Sequence, residues 1–429
     1  MMKNINFENE SLINKINKIL NKIQNNPENF ENIFTELFEK DFSKQLDKIN
    51  QLEKGILNGL IISVKDLFDV KGYETKGGSK FLDKGIAKKD AKCISLIRKA
   101  GGLLIGHTNM TELAYSGLGI NPHYGTPSNP IYNKAVPGGS TSGGAVSIAL
   151  EVSDITIGTD TGGSTRIPAA FTGITGFKPT QDIISRDGVL VLSTSLDSVG
   201  LMAKDMKHCK LGFEAIRTKS KTKSYKITKK DINFIIPKNF GFENIDDDIN
   251  SSFQSAKKKI IDSGYRVLET EIPILDIYKE IALWQFAAVE SQAEYHEAYN
   301  NKRDLIDPNV SRRMDRANQV KAVEYVLLCK QRENIIRQFN KFLQNNFLLL
   351  PTVTIKPPLI KDCENAEFYD QVNLISLRNT SLANYMNGCS LSLPYSNDKI
   401  TMGIMLNGIT YQDDQLLEIG SDIEKVLSK

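Results

Sequence analysis

Two clusters of glycine and hydroxyl residues lie close together in the chain and constrain its fold more than any other stretch. The first cluster spans residues 138–144 (GGSTSGG) and the second spans residues 158–164 (GTDTGGS), with an apolar stretch between them. Glycine has no Cβ, so the backbone can approach a ligand closely and point its N–H groups toward it. We therefore expect two tight turns, separated by a short helix and a strand, that bring several serines to one place.

The second cluster ends in Ser164, a candidate nucleophile that is not part of a histidine motif. A serine hydroxyl needs a base to take its proton. No histidine stands near either cluster in the sequence, although a fold could bring one close. Thr165 and Arg166 follow the serine, so the G-x-S-x-G elbow is absent. A lysine can be the base if burial lowers its pKa, and serine–lysine arrangements are a known variant of the catalytic triad. The expected oxyanion hole consists of the N–H groups of Thr161, Gly162, Gly163 and Ser164.

These motifs resemble the signature region of the amidase signature family of amide hydrolases. The family's nucleophile stands in a G-G-S-x-R-x-P context, which matches residues 162–168, and its second serine lies 24 positions earlier, as Ser140 does here. Its lysine stands in a V-K-D context, which matches Lys65. The resemblance implies a Ser-cisSer-Lys triad in which Ser164 is the nucleophile, Ser140 relays the proton and Lys65 is the base.

The same resemblance implies an α/β fold in which a mixed central sheet is covered by helices on both faces. It is strong over residues 55–205 and returns more loosely over residues 347–420. We expect one amidase domain over residues 1–429. Its segments are an N-terminal helical cover (1–54), a signature core (55–205), a variable region (206–346) and a C-terminal part of the core (347–429).

The position of Lys65 supports a catalytic role. Residues 60–64 form an apolar run of strand length, so Lys65 would stand at the end of a buried strand. Burying a lysine charge is costly, so this placement is rarely made for stability. The alternative is an ion pair with Asp66 or Asp69. Neighbours on a strand alternate faces, which would send Asp66 to the other side.

Other candidate residues come mainly from the resemblance. It implies that Ala114 and Tyr115 lie along the acyl side of the substrate pocket, although Tyr115 is equally plausible as core. It also implies that Arg166 is structural, with Asp160 as its charge partner. His123 has no His, Cys or carboxylate at a metal-binding spacing, so we expect no metal.

The remaining segments give patterns of secondary structure. Helical spacing of apolar residues predicts two or three amphipathic helices in residues 1–54, including one over residues 33–38. Strands are expected at 233–236 and 266–270, with a helix between them near 249–263. Long helical patterns cover about 275–300 and 308–346. The region 231–346 is expected to shape the leaving-group side of the pocket and so to decide substrate choice. The basic run 217–230 is interpreted as a solvated linker, with an RNA or partner contact as the alternative.

Composition narrows the class of protein. The 429 residues include 54 Lys and Arg against 51 Asp and Glu, which argues against a general attraction to nucleic acid. Five scattered cysteines without a C-x-x-C pair predict reduced thiols and a cytoplasmic location. No apolar run is long enough to span a membrane, and no nucleotide-binding glycine motif is present, so neither a membrane nor a cofactor is expected.

The sequence therefore predicts an amidase that hydrolyses a small carboxylic amide to a carboxylate and ammonia or an amine, with a homodimer left open. The alternative is the glutaminase subunit of a tRNA-dependent amidotransferase, which belongs to the same family and needs partner subunits. The spacing of 99 residues between Lys65 and Ser164 suits that glutaminase, whereas the first cluster departs from its usual GGSSGGS. A catalytically dead scaffold is disfavoured because all three triad residues are present.

Overall fold

The computed structural model describes residues 12–52, 55–218 and 229–428. Most of the basic run at 217–230 lies outside the described residues. The described strands form one mixed sheet in the order β1-β3-β2-β4-β6-β5-β10-β11-β9-β7-β8. The eleven strands are β1 Phe34–Leu37, β2 Ile61–Lys65, β3 Leu103–Thr108, β4 Ile155–Asp160, β5 Thr175–Lys178, β6 Ser198–Ala203, β7 Asn233–Pro237, β8 Arg266–Thr270, β9 Phe347–Pro351, β10 Ser390–Ser396 and β11 Thr401–Asn407.

Helices cover both faces of this sheet, as the α/β prediction requires. Among the described helices, none combines the length and apolar character needed to cross a lipid bilayer. The fifteen α-helices of the described residues are α1 Leu12–Asn25, α2 Pro27–Phe30, α3 Phe42–Gln51, α4 Lys92–Lys99, α5 Ser142–Ala149, α6 Arg166–Thr172, α7 Met206–Ile216, α8 Asp247–Asp262, α9 Pro273–Lys279, α10 Trp284–Glu294, α11 His296–Lys302, α12 Pro308–Asp315, α13 Ala322–Leu343, α14 Ala366–Tyr385 and α15 Asp413–Leu427.

The centre of the sheet brings the two serine clusters and the lysine to one edge. Strands β2, β3 and β4 are buried along their whole length, as expected for strands covered on both faces. Strand β2 runs parallel to β4, with Ile62 opposite Ile155 and Val64 opposite Ile157. Parallel neighbours end at the same edge of a sheet, so Lys65 at the end of β2 lies near the turn that follows β4.

The expected helix over residues 33–38 is wrong. Residues Phe34–Leu37 form β1, which pairs antiparallel with the edge of β3, with Phe34 opposite Thr108 and Leu37 opposite Gly106. A Cβ on Gly106 would lie 2.5 Å from Glu36 O, so glycine is what allows the two strands to approach. The open edge of β3 offers unpaired backbone groups, and pairing with them outweighs the local helical pattern.

The helical patterns of the variable region are divided into shorter helices. The pattern over 275–300 corresponds to α9, α10 and most of α11, and the pattern over 308–346 corresponds to α12 and α13, separated by the 3₁₀ turn Arg316–Gln319. Expected strands at 233–236 and 266–270 are present as β7 and β8, with α8 between them. The breaks matter because the residues within them, including Arg316, face the cavity described below.

Candidate active site

The turn between β4 and α6 carries Ser164 and is closed by a buried ion pair. Asp160 Oδ2 accepts hydrogen bonds from Thr165 N at 3.1 Å and Thr165 Oγ1 at 2.9 Å. Arg166 Nη2 lies 2.8 Å from Asp160 Oδ1, and both residues are fully buried. The guanidinium also donates to Thr380 O at 2.8 Å and Asn384 Oδ1 at 2.7 Å, as a buried charge requires. The predicted Asp160–Arg166 pair is confirmed, and it holds the turn in shape.

Glycines permit close packing within both clusters. Gly163 has a φ of 140°, and an added Cβ would lie 2.2 Å from Thr380 Oγ1. A Cβ on Gly139 would lie 2.5 Å from Gly119 N. L side chains rarely adopt the first conformation, and no side chain fits the second space. A substitution of either glycine would therefore displace the serine that follows it.

Lys65 is fully buried at the end of β2 and is bound by hydroxyl groups. Its Nζ donates to Ser140 Oγ at 2.7 Å and to Thr159 Oγ1 at 3.1 Å. Loss of water around the side chain lowers the pKa of Lys65 to about 7, although the negative charges of Asp160 and Asp197 act to raise it. A lysine in this state has a substantial neutral fraction near pH 7 and can accept a proton.

Lys65 does not form the alternative ion pair with Asp66 or Asp69. Asp66 accepts a hydrogen bond from Thr35 Oγ1 at 2.8 Å, and Asp69 accepts one from Thr75 Oγ1 at 2.8 Å. In the described part of the chain, Lys65 forms no ion pair with a carboxylate. The two aspartates accept hydrogen bonds from neighbouring segments of the chain instead.

Ser164 and Ser140 occupy different environments. Ser164 is 3% exposed and lines a cavity of about 530 Å³, whereas Ser140 is fully buried. The peptide bond between Gly139 and Ser140 is cis. Within the described residues, hydrogen bonding joins Lys65 to Ser140 but does not extend from Ser140 to Ser164. Catalytic hydrogen bonds are often long in free enzymes and tighten when substrate binds.

The backbone beside Ser164 contains N–H groups that can donate hydrogen bonds to a ligand. Among the described residues, no protein acceptor is within hydrogen-bonding reach of the N–H groups of Gly162, Gly163 and Ser164. Thr161, Gly162 and Ser164 line the cavity. Thr161 Oγ1 donates to Asp197 Oδ1 at 2.6 Å, which orients its residue. Unpaired N–H groups beside a nucleophile can stabilise an oxyanion.

The cavity wall includes both expected pocket residues. Ala114 and Tyr115 line the same cavity as Ser164. Burial raises the pKa of the Tyr115 hydroxyl, so this group stays protonated and can act as a hydrogen-bond donor. The variable region supplies much of the rest of the wall, including Phe240, Tyr278, Ile281, Leu283, Trp284 and Arg316.

Histidines do not contribute to the cavity wall in the described structure. Burial lowers the pKa of His107 to about 3, and its Nε2 lies 3.1 Å from Phe68 O, so it is a neutral core residue. His123 Nε2 lies 3.1 Å from Glu112 Oε1, a contact that its sequence spacing did not suggest. In the described ranges, no group of three or more His, Cys, Asp or Glu side chains could hold a metal ion.

Comparison with known proteins identifies the class. The Amidase family model matches residues 14–417. A 2-amino-5-chloromuconic acid deaminase from Comamonas testosteroni is 30% identical over 390 residues, covering 87% of this chain and 83% of that protein. A subunit of the Glutamyl-tRNA(Gln) amidotransferase from Chromohalobacter salexigens is 36% identical over 230 residues, covering 51% of this chain and 47% of that protein. A crystal structure of an amidase superposes with a TM-score of 0.87 at 25% identity, covering 97% of this chain and 96% of that one.

The chain therefore belongs to the amidase family, and it is an amide-hydrolysing enzyme. Its α/β architecture is the fold of that family's solved structures.

Several residues around the site could not be recognised from the sequence. Asp197 acts on the pKa of Lys65 and accepts a hydrogen bond from Thr161; it lies within residues 55–205, which resemble the family, but no role at the site was expected for it. Arg316 lines the cavity from a 3₁₀ turn that the helical pattern of 308–346 obscured. Glu290 accepts hydrogen bonds from the hydroxyls of Ser193 and Ser195, a link across about a hundred residues. Local pattern carries no signal for such long-range partners.

Proposed function

We propose that this enzyme hydrolyses a carboxylic amide to a carboxylate and ammonia or an amine through an acyl-enzyme on Ser164. The observation that carries the proposal is the buried Lys65, whose pKa is lowered to about 7 and whose Nζ donates to Ser140 Oγ at 2.7 Å. This pair lies at the sheet edge from which the turn bearing Ser164 also leaves. A neutral lysine linked to a serine supplies the proton acceptor that a seryl nucleophile needs.

The mechanism begins with transfer of the Ser164 proton to Ser140 as Ser164 Oγ attacks the amide carbonyl. Ser140 passes its own proton to neutral Lys65, so the relay leaves one positive charge on the lysine. The free N–H groups of residues 162–164, with that of Thr161, stabilise the oxyanion. Collapse of the intermediate expels the amine, which takes the proton back through the relay. Water then attacks the acyl carbonyl as its proton passes along the same path to Lys65. The bond to Ser164 Oγ breaks, Ser164 takes this proton back through the relay, and the product acid ionises and leaves as the carboxylate.

Replacement of the nucleophile tests this mechanism directly. Ser164→Ala should lose acyl-enzyme formation by roughly 10³-fold or more while the fold survives, because the missing group is one hydroxyl at a cavity wall. The measurement is covalent labelling with a fluorophosphonate serine probe, located by peptide mass spectrometry. Ser142→Ala is the control, since this serine lies in the first cluster but outside the relay. Labelling of Ser164→Ala at the wild-type rate would remove Ser164 from the proposed role.

The alternative, a glutaminase subunit of a tRNA-dependent amidotransferase, is favoured by one observation. The amidotransferase sequence shares 36% identity with this chain, more than the deaminase does, although the match covers only about half of each chain. Ammonia release by the purified chain separates the two functions. Hydrolysis of simple amides by the chain alone supports the free-standing amidase, whereas glutamine hydrolysis only in the presence of partner subunits supports the alternative.

We further propose that the enzyme acts in the cytoplasm on a small-molecule amide without direct binding to nucleic acid. The five cysteines, all without disulfide bonds, support a reducing location. The near balance of 54 basic and 51 acidic residues supports the absence of nucleic-acid binding. Cell fractionation and electrophoretic mobility shift with total tRNA test these two points.

A further inference from the structure

The cavity that contains Ser164 is apolar over most of its wall, and most of its charged residues are cations. Four cations and one carboxylate line it: Lys279, Arg313, Arg316, Arg378 and Glu243. A cationic side chain at an apolar cavity is costly unless a partner compensates its charge. The partners of the four cations therefore indicate which charge is left for a ligand.

Three of the four cations are already paired. Lys279 Nζ lies 2.7 Å from Asp276 Oδ1, and Arg378 Nε lies 3.7 Å from Glu243 Oε2. Arg313 Nη2 lies 2.8 Å from an oxygen of Asp370, and Arg313 Nη1 donates to a backbone carbonyl. Each of these three charges is compensated within the protein.

Arg316 differs from the other three. Within the described residues, no carboxylate lies within the 4.0 Å of an ion pair with its guanidinium, and no hydrogen bond fixes it. Asp370 influences its charge from a distance, but both oxygens of Asp370 are already taken by Arg312 and Arg313 at 2.7 and 2.8 Å. Partial burial lowers the pKa of Arg316, and Tyr115 and Asp370 raise it only in part.

The guanidinium of Arg316 is nevertheless held in place. Its central carbon lies 3.9 Å from the centre of the Trp284 ring, which is the distance of a cation–π stack. Stacking occupies a face of the guanidinium and leaves its N–H edge available. That edge presents a planar set of donors that matches a carboxylate with two parallel hydrogen bonds. A phosphate carries a charge of about −1.5 to −2 and would be only partly compensated by one arginine.

We propose that the acyl part of the substrate carries a carboxylate that binds Arg316, joined to the scissile amide by an apolar body. This inference rests on the proposed function, because the amide is placed at Ser164. Residues 231–346 were expected on the leaving-group side, but we assign the carboxylate to the acyl part because Tyr115, expected on the acyl side, lies in the same wall as Arg316. Phe240, Tyr278 and Leu283 provide the apolar wall for the body, and about 530 Å³ accommodates a small molecule of this kind.

Binding can be measured without turnover in the Ser164→Ala protein. The probes are two matched pairs: 4-carbamoylbenzoate against 4-methylbenzamide, and adipic acid monoamide against hexanamide. Calorimetric titration should show that the carboxylated member of at least one pair binds about tenfold to a hundredfold more tightly than its neutral partner. Equal affinity within both pairs, or no binding of either carboxylated probe, would overturn the inference.

Substitution of the arginine then assigns the preference to its side chain. Arg316→Gln, added to Ser164→Ala, should bring the affinity ratio of the pair close to one. Arg316→Lys should keep part of the ratio, since it retains the charge but loses the planar fork. Arg337→Gln is the matched control, because Arg337 is exposed on α13 and is not part of the cavity wall, and it should leave the ratio unchanged. A preference that survives in Arg316→Gln would also overturn the inference.

The outcomes separate this inference from the proposed function. A wild-type enzyme that is labelled at Ser164 and hydrolyses both members of each pair with equal efficiency keeps the amidase mechanism and loses the carboxylate subsite. A protein that prefers the carboxylated probes but whose Ser164→Ala variant still hydrolyses amides keeps the subsite and loses the mechanism.

Discussion

At the scale of single residues, the site contains one lysine whose pKa is lowered by burial in the fold. Lys65 is removed from water on β2, and this desolvation lowers its pKa by more than Asp160 and Asp197 raise it. Its two close partners, Ser140 and Thr159, are neutral hydroxyls that can accept a hydrogen bond without stabilising the ammonium form as a carboxylate would. The residue type and its place at a strand end were readable from sequence. Ser140 was expected beside it from the family resemblance, but the contact with Thr159 and the effect of Asp197 on its pKa were not predicted, because those residues come from distant segments.

The pH dependence of kcat/KM follows from this pKa. Below pH about 7, Lys65 is protonated and cannot accept a proton, so activity should rise with pH through about 7 and hold into the alkaline range. Lys65→Arg should lose roughly 10³-fold or more of kcat/KM, because a guanidinium stays protonated. The measurement is kcat/KM against pH for the wild type, Lys65→Arg and Lys65→Ala.

Lys76→Arg provides the matched control, since Lys76 is partly exposed and pairs with Glu36 away from the cavity. Its profile should coincide with that of the wild type. A Lys65→Arg enzyme as active as the wild type would mean that the position needs only a cation, and the lysine-base mechanism would have to be abandoned.

At the scale of elements, the cavity wall is assembled by carboxylates that tie loops to helices. Glu290 on α10 accepts hydrogen bonds from the hydroxyls of Ser193 and Ser195 and from Tyr325 on α13. The same carboxylate accepts Ser195 N at 3.1 Å. This fixes the loop before β6, whose Leu196 lines the cavity, against two helices of the variable region. Whether a segment forms a helix or a strand was mostly predictable from periodicity. The hydrogen bonds of Glu290 that join the loop to the two helices were not.

Glu290→Gln tests whether the hydrogen bonds of Glu290 hold the loop before β6 against the helices. The variant keeps the size of the side chain but weakens four charge-assisted hydrogen bonds, so the free energy of unfolding should fall by about 1–3 kcal/mol. We also expect KM for the amide substrate to rise more than kcat falls, because the loosened loop forms part of the binding wall. The measurements are urea unfolding followed by circular dichroism, and steady-state kinetics.

Glu294→Gln on the same helix is exposed at its last turn and should change stability by less than about 0.5 kcal/mol. Equal effects of the two substitutions would show that the cluster around Glu290 contributes nothing specific to the wall.

At the scale of the whole molecule, each of the four segments distinguished in the sequence contributes strands to one sheet. Residues 1–54 supply β1, residues 55–205 supply β2 to β6, residues 206–346 supply β7 and β8, and residues 347–429 supply β9 to β11. The signature core could be placed from its motifs because its turns require particular glycines. The position of β1 at the edge could not, because four residues with helical spacing become a strand only when β3 is present beside them.

A single domain should unfold as one unit, and the chain offers two probes of this. Trp284 is the only tryptophan in the sequence and reports on the variable region, whereas circular dichroism reports on all helices and strands. Leu104 is fully buried on β3, near the opposite end of the sheet from β7 and β8. Leu104→Ala should destabilise the protein by roughly 2–5 kcal/mol, because it leaves a cavity in a packed core.

If the chain is one domain, the stability lost in Leu104→Ala must lower the urea midpoint by the same amount whether unfolding is followed by Trp284 fluorescence or by circular dichroism. Leu327→Ala removes the same atoms from a side chain that is 57% exposed on α13, so both midpoints should stay close to those of the wild type. If Leu104→Ala lowers the dichroism midpoint but leaves the Trp284 midpoint in place, the variable region unfolds independently of the signature core. The chain would then have at least two domains, and the substrate-binding wall would be a surface between them, because Trp284 and Ser164 line the same cavity from different segments.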